Sequence, residues 1–244
     1  MNKIDPDKIE YSPVLNHNYS KWFVDVQYNG KTLSDTERRD CIARMDEAIE
    51  QYSEGIPLYN SILEEGKGKE DEFNKAYRTV VSVLFFVLIT TIDSIVASKY
   101  FILADKDYDR RFLRGKLMVI LNEGFKRLYG FDEKTHKKSE WDRLFPLMKY
   151  FPEEINLQYR DLTFLLEKYA RSSSWWREER NLETHLDVDK LIASRQEEII
   201  ESKVMMDSMK LFNTLQAVDS FLRNCHACLL NFLITKLRRG ELKE

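Results

Sequence analysis

Glycine and proline are both scarce in this chain of 244 residues, at 8 and 5 copies. Their scarcity excludes an all-β architecture of short strands and tight turns and leaves long helices joined by few loops. Cysteine occurs three times, too rarely and too unevenly for a disulfide framework. Excess positive charge is also missing: 38 Lys and Arg face 41 Asp and Glu, for a net charge of −3. A general nucleic-acid coat would be basic, so any nucleic-acid contact must come from a local patch. Met1 to Glu10 is charged rather than apolar, so no signal peptide is read there and a reducing cytoplasmic location is expected. The longest apolar run, Val80 to Ile92, lies between Arg78 and Asp93. It falls short of the roughly twenty residues that span a bilayer, so it reads as the central buried helix of a bundle with no membrane partner.

Several chemical signatures are absent as well. The chain has no glycine-rich phosphate loop, no His-Glu-x-x-His helix and no Gly-x-Ser-x-Gly elbow. Cys225-His226-x-Cys228 carries zinc-ligand types, but on a helix residue 226 points away from the face shared by 225 and 228. With Cys41 far off in sequence, these read as small core residues, and no metal or other cofactor is expected.

What is present is helical. Residues 1–33 form an N-terminal arm with a hairpin signal, Trp22 to Tyr28 followed by Asn29-Gly30. The rest, 34–244, reads as one all-α domain, an antiparallel up-and-down helical bundle with additional helices. Ser34-Asp35-Thr36-Glu37 is a capping box that opens a helix over about 35–53, stopped by Gly55 and Pro57. A short helix over 57–65 and a loop from Gly66 to Lys69 follow. Glu70 to Ala104 has no break and is apolar all round at its middle, as a helix packed on several sides must be. Asp93 is its polar exception, ordinarily a half-exposed or hydrogen-bonded residue. Asp105 to Asp109 reads as a polar turn, and the helix after it runs to Tyr129, with Gly130 in the left-handed stop position. A polar connector over 131–152 holds one amphipathic turn, Trp141 to Tyr150. Glu153 to Arg171 is helical, with Ser172-Ser173-Ser174 as its break. The last helical region covers about Asp189 to Arg239, with a break near Glu201 to Val204 and a core stripe of Leu211, Leu215, Val218, Leu222, Leu229, Phe232 and Leu233.

Two polar clusters stand out. Arg110, Arg111 and Arg114 make the densest basic run. Such a run is usually a solvated face paired with acids; its functional alternative is a phosphate-contacting patch. The second cluster lies between the last two long helices, where Trp175-Trp176 precedes Arg177, Arg180, Asn181 and His185. Of the four histidines, His17 and His136 fall in loops without supporting groups, and His226 falls in an apolar stretch. His185 alone has companions: Asn181 is one turn before it on a helix, and the long side chains of Arg177 and Arg180 can reach the same side. This set supplies cations for a phosphate, an imidazole for proton transfer and an amide to orient it. The tryptophan pair reads separately as a core staple or as an interaction anchor.

Arg180-Asn181-x-x-x-His185, with Leu186-Asp187 after it, resembles the Arg-x(4–6)-His motif of the HEPN superfamily. The resemblance covers about eight residues plus the helical fold class. It implies a homodimer whose two motifs face one cleft and a metal-independent endoribonuclease of toxin or abortive-infection type. His185 would serve acid/base catalysis, Arg180 would hold the scissile phosphate, and Asn181 would orient His185. A nucleotidyltransferase-type antitoxin would be the regulating partner, as for some relatives; by their charge alone, Arg177, Arg110, Arg111 and Arg114 would contact the RNA. The same family includes non-catalytic binding and scaffold members, which is the alternative function.

Overall fold

The computed structural model describes residues 33–68, 71–172 and 199–239, and these are helical with no strand among them. The helices are α1 (Asp35–Ser53), α2 (Gly55–Glu65), α3 (Glu72–Leu103), α4 (Asp107–Leu128), the single turn α5 (Glu133–His136), a 3-10 helix (Asp142–Tyr150), α6 (Glu153–Ser172) and α7 (Glu201–Arg238). The all-α expectation holds. The hairpin signal at 22–30 lies outside the described residues, as does the arm 1–33 except for Leu33, which is buried.

Local chemistry sets most boundaries. Ser34 accepts the Glu37 N–H at 3.3 Å, and its own N–H donates to Glu37 Oε2 at 2.7 Å, completing the expected capping box of α1. Pro57 then removes an N–H in the first turn of α2 and ends α1. The chain keeps its direction there: Gly55 lies near Leu88 and Gly66 near Arg78, so α1 and α2 together run the length of α3. Asp71 caps α3 by accepting the Asn74 N–H at 3.0 Å. Gly130 takes φ +88 at the end of α4, the left-handed stop read from the sequence.

Residue pairings fix an alternating direction. Gly124 of α4 lies against Thr90 of α3, although the two helices are joined by only three residues beyond Leu103. Tyr77 and Phe73 near the start of α3 meet His226 and Phe232 near the end of α7. Gln158 near the start of α6 accepts from Asn224 of α7 at 3.0 Å. The α1–α2 pair, α4 and α7 therefore run one way, and α3 and α6 run the other. This is the expected up-and-down bundle.

The core is shared by α3, α4, α6, α7 and the 3-10 helix. Trp141, Phe101, Phe125, Phe151 and Phe221 are its largest fully enclosed side chains. Each such side chain contributes roughly 1.5–3 kcal/mol relative to exposure. Along α7, buried Val204, Ser208, Leu211, Leu215, Val218, Leu222, Cys225 and Leu229 recur at alternating steps of three and four. That is a heptad seam, suited to the shallow crossing of antiparallel helices. Phe232 and Leu233, expected in the same stripe, are only partly buried.

The apolar stretch of α3 is not too short to cross a bilayer: the helix has 32 residues and an 18-residue window of mean hydropathy 2.4. Placement decides its role, because 61% of that window is buried against the other helices. Its small polar residues cost little there. Thr90, Thr91, Ser94 and Ser98 each donate to a backbone carbonyl one turn back, at 2.9, 2.8, 2.8 and 2.7 Å.

Candidate functional site

The motif residues Arg177, Arg180, Asn181 and His185, with Trp175 and Trp176, lie outside the described residues. The frame that carries them is described at both ends. Tyr169 in the last turn of α6 lies beside Asp207 and Thr214 of α7. Ser172 and Glu201, the helix ends flanking the motif segment, therefore face the same end of the bundle.

A buried ion pair closes that end. Glu201, the first residue of α7, has a side chain 2% exposed. It accepts from the Leu33 backbone N–H at 3.1 Å and from Arg38 Nη2 at 3.0 Å. Arg38 Nη1 also donates to the carbonyl of Ile102 at 2.8 Å, in the last turn of α3. One guanidinium thus serves a carboxylate at a helix N-terminus and a carbonyl at a helix C-terminus, which suits both helix dipoles.

The start of α4 lies at this same end, next to the end of α3. Its arginines are engaged, Arg114 included. Arg110 Nε donates to the Ala104 carbonyl at 2.6 Å, and Arg111 Nε to Asp107 Oδ2 at 2.7 Å, one turn away. Arg114, like Arg110 and Arg111, is half-buried. The sequence reading missed the aromatic part of this surface. Tyr108 and Phe112, one turn apart, are 74% and 51% exposed. Lys116 continues the row, with Nζ 5.2 Å from the Phe112 ring centre. The spacing 108, 112, 116 was legible in the sequence, but exposure is a property of the packed bundle.

The remaining candidates resolve into structural roles. Cys225 and Cys228 are buried, which raises both thiols, and no metal-binding group of His, Cys, Asp and Glu occurs among the described residues. His226 Nε2 lies 2.9 Å from the Tyr77 hydroxyl, and burial together with the nearby Arg223 charge lowers its pKa. It is the satisfied histidine expected of an apolar stretch. Asp93 is exposed, and partial desolvation raises its carboxyl. His136 has more support than its loop position suggested. Its Nδ1 lies 2.7 Å from the Tyr129 carbonyl, which can only accept, so Nδ1 carries the proton. Nε2 faces Asp142 at 4.0 Å. Beside it, buried Glu140 is held by Arg127 at 2.7 Å and by Arg143.

No family model, no curated protein and no solved structure matches the chain.

Proposed function

We propose that this helical bundle is a HEPN-like, metal-independent endoribonuclease of toxin or abortive-infection type, working as a homodimer. The reading rests on the sequence Arg180-Asn181-x-x-x-His185 in an all-helical chain. The observation that supports it most is the surface at the bundle end from which that segment departs. There, exposed Tyr108 and Phe112 stand among Arg110, Arg111, Arg114 and Lys116, with exposed Asp105, Asp107 and Asp109 in the same stretch and Asp107 paired to Arg111. Flat rings on which bases stack, set among cations that track phosphates, suit single-stranded RNA in a chain whose net charge is acidic.

The chemistry assigned to the motif is transesterification. The ribose 2′-oxygen attacks phosphorus, the 5′-oxygen leaves, and the products carry a 2′,3′-cyclic phosphate and a 5′-hydroxyl. His185 from one subunit accepts the 2′-hydroxyl proton, and His185 of the partner subunit protonates the leaving oxygen. Arg180 offsets the charge that develops on the phosphate, Asn181 orients the imidazole, and Arg177 extends the positive surface. A nucleotidyltransferase-type antitoxin is the regulating partner this reading calls for.

The test uses the full chain with single-stranded RNA in EDTA. Cleavage to cyclic-phosphate ends is expected, with loss of at least a hundredfold in Arg180→Ala and in His185→Ala. Cleavage that survives both changes refutes the assignment. RNA binding without cleavage in the unaltered protein returns the non-catalytic alternative. Tyr108→Ala with Phe112→Ala should weaken RNA binding by about thirtyfold or more, from about 1–3 kcal/mol for each of two stacked bases. Unchanged affinity removes α4 from the interface.

A further inference from the structure

Helices α1, α3 and α7 line a cavity of about 300 Å³ that opens to solvent. Its body is apolar, lined by Met45, Ile95, Met205, Met209 and Phe212. Three serines also reach it, Ser94, Ser98 and Ser208, and each hydroxyl proton is already given to a helix carbonyl, at 2.8, 2.7 and 3.0 Å. The polar groups left are at one side, Cys41 and Arg44 on α1.

Arg44 is exposed, and it makes no hydrogen bond or ion pair among the described residues. Its charge is the one Cys41 feels most strongly, so the guanidinium lies at the Cys41 side of the cavity; Glu37 and Asp40 act on the same thiol more weakly. No carboxylate lines the cavity among the described residues. The lining therefore offers an apolar volume, soft polarizable sulfur and one cation.

We propose that this cavity binds a small aromatic carboxylate, with its rings among the methionines and Phe212 and its carboxylate on Arg44. The size suits the ligand: a dry cavity of about 150 Å³ accepts benzene, so twice that volume accepts two fused rings. Thioether sulfur packs favourably at ring edges, and methionine adapts to irregular shapes. A guanidinium pairs with a carboxylate through parallel N–H donors and has nothing to offer an ammonium group. This assignment is independent of the nuclease reading, because it uses no motif residue and a different set of helices.

The experiment is calorimetric titration of the full chain with 2-naphthoate, 2-naphthylmethanol, 2-naphthylmethylamine and octanoate. Naphthoate should bind most tightly, the alcohol more weakly and the amine least. Octanoate, which has the charge without the rings, should bind several-fold more weakly than naphthoate. Arg44→Gln should weaken naphthoate roughly tenfold and leave the alcohol within about twofold. Iodoacetamide labelling of Cys41, followed by peptide mass spectrometry, should slow in proportion to naphthoate occupancy; Cys225 and Cys228 are buried and serve as internal controls. The proposal is overturned if millimolar naphthoate gives no binding or if the amine or octanoate equals it. It is also overturned if Arg44→Gln weakens acid and alcohol alike, or if Cys41 is unprotected at saturation.

Discussion

Removing Arg38 tests whether the bundle end is held by one buried ion pair. The guanidinium is 22% exposed and the Glu201 carboxylate 2%. In Arg38→Ala, Glu201 keeps one donor, the Leu33 N–H at 3.1 Å, and the Ile102 carbonyl loses its 2.8 Å partner. Breaking a buried pair from one side costs about 3–5 kcal/mol, because the remaining charge is stranded. The partial exposure of Arg38 lets water replace some of the loss, so about 3 kcal/mol is expected. For a chain of this size each kcal/mol shifts Tm by about 2–4 °C, so Tm should fall by about 6–12 °C. Arg38→Met combined with Glu201→Leu removes both charges and fills the space with apolar atoms. It should be less destabilised than Arg38→Ala alone. Thermal and urea unfolding, followed by helical circular dichroism, measure both. If Arg38→Ala costs under 1 kcal/mol, or if the double replacement is the sum of two large losses, the pair is a solvated surface contact and the reasoning fails.

Two further outcomes follow from single positions. Gly130 combines φ +88 with a site where a new Cβ would lie 2.4 Å from the His136 backbone nitrogen, whereas Gly68 has φ +79 and open space. Gly130→Ala should therefore cost at least about 3 kcal/mol and disturb the 131–141 connector, while Gly68→Ala costs only the left-handed penalty of about 1–2 kcal/mol; equal melting temperatures would contradict this. His226 has a folded-state pKa lowered below its ordinary 6.5. The unfolded chain then binds a proton more readily, so this contribution to stability is complete above pH 6.5 and shrinks as pH falls through the folded-state value. Denaturation midpoints measured between pH 5 and 7.5 should fall more steeply for the unaltered protein than for His226→Gln, and parallel curves would show that the histidine is solvated.

Helix starts and stops were written locally. The Ser34–Glu37 box and Gly130 act within a few residues of themselves, and the predicted ends of α1 and the predicted stop of α4 agree with the structure to within about two residues, whereas α4 starts at Asp107, inside the turn expected over 105–109. The core stripe of α7 and the packing roles of Cys225 and Cys228 were legible for the same reason: periodicity places them on one face before any partner is known, and it places His226 off that face. Arg180, Asn181 and His185 were legible only as a motif, since a pattern of residue types names chemistry without placing it.

The amino-acid sequence alone thus determined the helical class, both ends of α1, the stop of α4 and the face that α7 buries. These follow from backbone hydrogen bonding and side-chain period, which act over a few residues. The tertiary structure alone decided four other things. It buried α3, whose length and hydropathy would suit a membrane equally well. It exposed Tyr108 and Phe112, and it joined Arg38 to Glu201 across 163 positions of chain. It also opened a cavity beside Arg44, drawn from three helices. Each depends on which faces meet when the helices pack, and that is set by the fit of the whole bundle.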